Sequence, residues 1–235
     1  MLAIFKREFK GYFTSPIGFI FVGIFLFMAG LYFYVGNLAT NSADIGSLFR
    51  QLTFVLMFLT PIHTMRLLSE ERRAKLDQLL LTSPVSILSI VFGKFLAAFA
   101  VLAAAAGVTV LYTIIFFALG AHPSFAQIIG NYVGFLLMAG SFIAIGLFIS
   151  SLTVNQVVAA VVSYATFFFL LITGWLASKT QDPNTAKVIE YLSPNSHYRN
   201  FSLGIFNVAD AVYYLSMIAL FVFLTVRVIE KRRWS

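Results

Sequence analysis

Residues 95–120 read FLAAFAVLAAAAGVTVLYTIIFFALG, and nothing in that stretch carries a charge. The uncharged interval runs on to residue 178, giving 84 consecutive positions without Asp, Glu, Lys or Arg. A hydrocarbon layer about 30 Å thick takes roughly 20 helical residues per crossing, so this interval alone accounts for about three crossings. The rest of the chain agrees. Of 235 residues, 60% are hydrophobic and 27 are Phe, more apolar side chain than a soluble core of this length would bury. The fold class expected is an all-α polytopic membrane protein.

Outward from the interval, apolar runs between turn signals give six spans, at about 17–36, 49–68, 91–119, 127–150, 156–176 and 208–227, within a single domain over 1–235. Pro16 suits the first turn of a helix, Gly120 to Ser124 separates the third span from the fourth, and Ser150 to Gln156 separates the fourth from the fifth. The second span is the shortest: only 15 uncharged residues lie between Arg50 and Arg66, about 24 Å of helix at 1.5 Å per residue. Both guanidinium groups would snorkel to opposite interfaces.

Six spans place both termini on one side. That side collects twelve Lys and Arg, the other only Arg50, Lys179, Lys187 and Arg199, so termini and the 69–90 loop are expected in the cytoplasm, with the chain multi-pass in the cytoplasmic (inner) membrane. The first apolar run is too long for a cleaved signal peptide. Ahead of it, residues 1–14 set Leu2, Phe5, Phe9 and Tyr12 at helical spacing, with Lys6, Arg7 and Lys10 on the other faces. That pattern suits an amphipathic helix lying in the interface.

The net charge of +7 does not indicate nucleic acid, because the basic residues sit at the ends of apolar runs instead of along one polar face. With no Cys there is no thiolate metal site and no cysteine nucleophile. No paired carboxylates, H-E-x-x-H or G-x-S-x-G occur within a span, and His63, His122 and His197 lie far apart in sequence. Gly93-Lys94 lacks the first glycine and the magnesium-binding hydroxyl of a phosphate loop. The chain is therefore expected to be no enzyme and to bind no cofactor itself. A channel or proton pump normally carries ionisable groups at mid-membrane. Here the mid-span polar residues are neutral: Asn131, Ser141, Ser163, Thr166 and Thr173. They are the candidates for lining a pathway, although interhelical hydrogen bonding is the commoner role for such residues.

Charge concentrates in one place: Glu70, Glu71, Arg72, Arg73, Lys75 and Asp77 fall within eight positions. Leu76, Leu79 and Leu80 share a helical face, Arg73 and Asp77 are four apart, and Pro84 ends the pattern, predicting a short amphipathic helix over about 70–82. Such a cluster can serve only to fix orientation, but positive-inside orientation needs no acids. Mixed charges suit docking to another protein.

Glu70-Glu71-Arg72-Arg73, Leu76-Asp77-Gln78-Leu79-Leu80, Thr82-Ser83-Pro84-Val85-Ser86 and Gly93-Lys94-Phe95 resemble the cytoplasmic loop of ABC-2 type transporter permeases. The resemblance covers the whole chain, and the tail from Ser193-Pro194 through His197, Phe201, Gly204 and Asp210 to Arg232-Arg233-Trp234 is most similar to the gliding-motility-associated branch. Ala74 and Lys75 stand where the family has Gly-Thr, and Asp77 where it has Glu. The resemblance implies a permease subunit paired with a second, identical or homologous one. Two copies of a cytoplasmic ATP-binding-cassette ATPase would bind ATP and Mg. Glu70, Glu71, Arg72, Arg73, Lys75, Leu76, Asp77, Leu80 and Pro84 would then form the coupling helix that docks on the ATPase, with Phe5, Lys6, Arg7, Phe9 and Lys10 on the interfacial helix as a second contact. It further implies short external helices within 177–207, a segment whose aromatics suit an interface. The substrate class implied is an amphipathic or lipid-linked molecule moved by export. The alternative is a non-transporting membrane subunit of an ATP-driven motility or signalling complex.

Overall fold

In the computed structural model, which describes residues 1–73, 86–120, 123–180 and 182–233, every described regular element is helical. The order is α1 (Leu2–Thr14), α2 (Pro16–Phe33) running into a π-helical turn (Tyr34–Leu38), α3 (Ile45–Thr64), α4 (Arg66–Arg73), α5 (Ile87–Val108) and α6 (Val110–Ala118). After these come α7 (Phe125–Leu152), α8 (Gln156–Lys179), α9 (Pro183–Leu192), α10 (Pro194–Ser202) and α11 (Val208–Arg233). Six runs are long and apolar enough to cross a bilayer: Pro16–Leu38, Ile45–Arg73, Ile87–Ala118, Phe125–Leu152, Gln156–Ala177 and Val208–Arg232. The fold is an all-α polytopic membrane protein with six spans.

Spans one, two, three and five begin where a side chain supplies the acceptor that a first-turn N–H lacks. Ser15 Oγ accepts from Ile17 N at 3.4 Å, just ahead of Pro16, and Asp44 Oδ1 accepts from Ser47 N at 3.1 Å. Ser86 Oγ accepts from Ser89 N at 3.3 Å, and Asn155 Oδ1 from Val157 N at 2.9 Å. Two of these caps move expected boundaries. Span two starts at Ile45, not 49, so Arg50 lies within its second turn and the Arg50 to Arg66 distance is not the length of the helix. Span three starts at Ile87, not 91, which carries Lys94 two turns into the helix and buries it, 1% exposed.

Packing centres on α7. In its apolar stretch 78% of residues are buried, against 28% for spans one and six and 33% for span five, so those three present most of the surface offered to lipid or to another subunit. Hydrocarbon is as apolar as leucine, so helices in lipid associate through close packing and hydrogen bonds instead of through expulsion of water. Gly146 on α7 shows the first: a Cβ there would lie 2.2 Å from Thr64 Oγ1, and its absence brings α3 and α7 into contact. Aromatic rings fill the remainder, with Phe142 stacked on Phe167 of α8 at 4.7 Å and Phe49 of α3 edge-on to Phe135 at 5.5 Å.

The expected external segment folds as α9 and α10, laid over the ends of α7, α8 and α11. Polar contacts anchor it. His197 Nδ1 lies 2.6 Å from Asp210 Oδ1 and its Nε2 lies 2.9 Å from the Tyr191 carbonyl. Asn200 donates to Asp210 Oδ2 at 2.7 Å, Tyr214 donates to the Pro194 carbonyl at 2.6 Å, and Tyr198 donates to Asn131 Oδ1 at 2.8 Å.

Candidate functional site

The charged stretch that stands out in the sequence begins at the foot of span two. There the helix is interrupted only at Met65, one turn after Pro61, whose ring nitrogen leaves a gap in the ladder of α3. The chain resumes as α4, whose first amides need acceptors. Span four provides one: Ser150 Oγ accepts from Leu68 N at 3.2 Å and Ser69 N at 3.1 Å while donating to the Met65 carbonyl at 3.0 Å. Arg72 Nη1 donates to the Leu152 carbonyl at 3.1 Å. These bonds fix α4 to the end of α7.

On the other side of α4 four charges meet. Lys94 Nζ of α5 lies 2.8 Å from Glu71 Oε1 and 3.2 Å from Glu8 Oε2. Arg7 Nη2 of α1 lies 2.6 Å from Glu8 Oε1 and 3.2 Å from Glu71 Oε1. Two cations and two carboxylates therefore alternate around a neutral ring that joins α1, α4 and α5. The bond to Glu8, with the added field of Glu71, holds the Arg7 guanidinium above its already high pKa. Gly93 makes the approach possible: a Cβ there would come within 3.0 Å of Ile4 Cγ2, so α1 can lie directly on span three.

Beside the ring is a cavity of about 320 Å³ whose walls include Glu8, Tyr12, His63, Arg66, Glu71 and Lys94. His63 is sandwiched, its ring centroid 4.7 Å from Tyr12 and 4.2 Å from Phe21. Its Nε2 lies 3.1 Å from the Ala98 carbonyl, an acceptor only, so that nitrogen carries the proton and the imidazole bridges α3 to α5. Burial pushes the Tyr12 hydroxyl well above its ordinary pKa, which keeps it a donor toward the His63 carbonyl at 3.5 Å. Arg66 forms a two-point ion pair with Glu70, at 2.7 and 3.0 Å.

The expected docking residues thus divide. Glu71 turns inward to Lys94 and Arg7, Glu70 is held by Arg66, Arg72 reaches the end of span four, and Arg73 is exposed. Lys75, Leu76, Asp77, Leu80 and Pro84, and with them most of the helix expected over 70–82, lie outside the described residues. On α1, Phe5 stacks on Phe9 at 5.6 Å while Lys6 and Lys10 are exposed and Arg7 joins the ring.

The five neutral mid-span residues are not gathered in one place. Asn131 bonds to the Gln127 and Ser202 carbonyls and to Tyr198, and Ser141 bonds to the Leu137 and Tyr214 carbonyls, so both join span four to other elements. Ser163, Thr166 and Thr173 bond to carbonyls of their own helix, at Ala159, Val162 and Leu170. Among the described residues no group of three or more His, Cys, Asp or Glu is placed to hold a metal.

Sequence reasoning gave no docking or pathway role to Glu8, Tyr12, His63, Lys94 or Ser150. Lys94 had a signal: a cation carried into a span must find an acid, and the acids nearest to it in sequence, Asp77, Glu71 and Glu70, all belong to the charged cluster that precedes its helix. Ser150 had none, since any serine at a helix end could have served.

A family model described as ABC-2 family transporter protein matches residues 51–229. No curated protein matches the chain.

Proposed function

Because this chain belongs to the ABC-2 family of transporter proteins, we propose that it is the membrane-spanning permease subunit of an ATP-driven transporter, coupled to a separate cytoplasmic ATP-binding-cassette ATPase. Two such permeases, identical or homologous, pair in the bilayer and engage two ATPase copies, which bind the ATP and Mg. Both termini and residues 70–82 face the cytoplasm of the inner membrane, and the cargo is an amphipathic or lipid-linked molecule carried outward. Within the family, the tail from Ser193 to Trp234 supports kinship with the gliding-motility-associated branch.

One observation supports the coupling role: the ring of Arg7, Glu8, Glu71 and Lys94 ties α1 to span three immediately before the loop that would meet the ATPase. A force on residues 74–85 would reach α4 directly. Through the ring it would move α1 and span three, and through Ser150 the end of span four, as one body. To drag α4 away from α5 would strip Glu71, the nearer of its two carboxylates, from a buried ammonium group and leave it with Glu8 alone in the ring, which costs free energy. The cheaper response to ATPase closure is rigid-body movement of the joined elements, the kind of motion by which a helix lever transmits a nucleotide signal. A ligand drives it only through contacts that differ between the two states.

The test is co-purification of the chain with its cassette ATPase, comparing wild type with Glu71→Ala/Arg73→Ala. Loss of ATPase stimulation is expected. An unchanged complex with unchanged stimulation contradicts the docking role.

A further inference from the structure

At the end of the bundle remote from the termini, a cavity of about 530 Å³ opens between α3, α8 and α10. Its polar wall carries Arg50 and Arg199, its apolar wall Phe54, Met57, Leu171 and Leu203, and no carboxylate lines it. Among the described residues neither arginine is in an ion pair, whereas Lys94 is paired twice and Arg7, Arg66 and Arg227 each have a carboxylate partner. Arg50 is close enough to Tyr198, on the facing helix α10, for its charge to act on the phenol. Two arginines lining one cavity with no carboxylate in its wall favour an anion there, since each is relieved of the other's like charge when an anion joins them.

A second cavity, of about 400 Å³, adjoins the first and shares Leu171, Asn195 and Arg199 with it. Here α10 begins. Its N-cap, Ser193, is among the lining residues and makes no side-chain cap; its Oγ is wholly buried against Gly174 of α8, without a hydrogen-bond partner among the described residues. A buried hydroxyl left without a partner costs free energy, and native structures seldom tolerate one. The helix N-terminus beside it presents first-turn amides and the positive end of the helix dipole. The acid in this lobe is Glu190. Both lobes open beside large exposed aromatics: Phe54 is 48% and Trp175 61% exposed.

We propose that this two-lobed cleft between spans two and five binds an amphiphile with a net-anionic phosphate headgroup, the phosphate shared by Arg50 and Arg199, the chain lying along Phe54, Met57 and Leu171. Guanidinium forks match phosphate oxygens in pairs, and a phosphate's several acceptors can satisfy both arginines at once. Phosphate on a lipid of the surrounding leaflet and phosphate on a carried amphiphile share this chemistry. The proposal names the ligand class for the permease path and rests on that reading.

The test uses the full chain in phosphatidylcholine nanodiscs, titrated with dodecyl phosphate and, as a zwitterionic control, dodecylphosphocholine. Trp175 fluorescence and native mass spectrometry report binding. Saturable binding of dodecyl phosphate is expected, with at least tenfold preference over the control. Arg50→Gln and Arg199→Gln should each weaken it about tenfold, as loss of one charge-assisted bond does. Arg199→Lys, which keeps the charge but loses the fork, should fall between. Adding phosphatidylglycerol to the nanodiscs distinguishes the sources: competition identifies a bilayer phospholipid, and undiminished binding identifies a carried amphiphile. Equal affinity for the control, or wild-type affinity in variants that keep the wild-type melting temperature, overturns the proposal. No ATPase enters this assay, so its result is separate from that of the co-purification.

Discussion

Replacing Lys94 by Met keeps the apolar stem and removes the ammonium group, leaving Glu8 and Glu71 with Arg7 as their remaining partner in the ring. Lys94 is 1% exposed, while Glu71 and Glu8 are 17% and 18% exposed and Arg7 is 56% exposed. Removing one member of a buried ion pair costs about 3–5 kcal/mol because the other charge is stranded. Here the stranded carboxylates keep some water and one guanidinium, so the lower end applies, about 3 kcal/mol. For a chain of this size that corresponds to a melting temperature lower by roughly 6–12 °C. Glu71→Gln should cost less, since Lys94 retains Glu8 at 3.2 Å. The double variant Lys94→Met/Glu71→Gln should be more stable than the sum of the single losses predicts, by about 1–3 kcal/mol of coupling. Thermal melts of the four purified proteins in one detergent close the cycle. If Lys94→Met melts within about 2 °C of wild type, or if the two losses simply add, the ring does not hold α1, α4 and α5 together.

Ser150→Ala removes an acceptor from two amides of α4 and a donor to Met65, so a loss of about 1–2 kcal/mol is expected, with faster hydrogen exchange at Leu68 and Ser69. His197→Phe removes one of two side-chain partners of Asp210, which is buried at 4% exposure and keeps Asn200, and should cost about 1–3 kcal/mol and raise proteolysis within α9 and α10; wild-type proteolysis would show that the His197–Asp210 contact does not anchor that segment. Gly146→Ala sets a methyl against Thr64 and should destabilise the chain by about 1–3 kcal/mol, and Thr64→Ser, which removes one of the crowded atoms, should recover part of the loss in thermal melts.

The spans were legible because crossing a bilayer is a one-dimensional requirement: apolar length between charges suffices, whatever the tertiary structure. Boundaries were legible only where a cap could be recognised. Asp44 and Ser86 do cap, but hydropathy weighs neither, so spans two and three were read several residues short. Their true starts alter the functional picture, because they carry Lys94 into the helix and Arg50 to the mouth of a cleft. The two helices of the 177–207 segment also had a local signature, Asp182-Pro183 and Ser193-Pro194, a cap residue followed by proline at the first helical position. The ring of charges lay beyond the sequence for another reason. Lys94 could have met Glu8, Glu70 or Glu71, and the choice depends on how α1 folds back over Gly93, a long-range contact with no periodicity to report it. Asn131 and Ser141, read as possible pathway lining, are engaged in joining helices, since a polar group in a span bonds to whatever neighbour tertiary packing supplies.

The most direct test of the coupling account uses a chain that contains no native cysteine. Arg73→Cys, at the exposed end of α4, is treated with a membrane-impermeant maleimide in oriented vesicles, with and without the cassette ATPase. Labelling from the cytoplasmic side alone, blocked when the ATPase is bound, is the predicted result. Labelling from the opposite side, or labelling that the bound ATPase leaves unchanged, would contradict it.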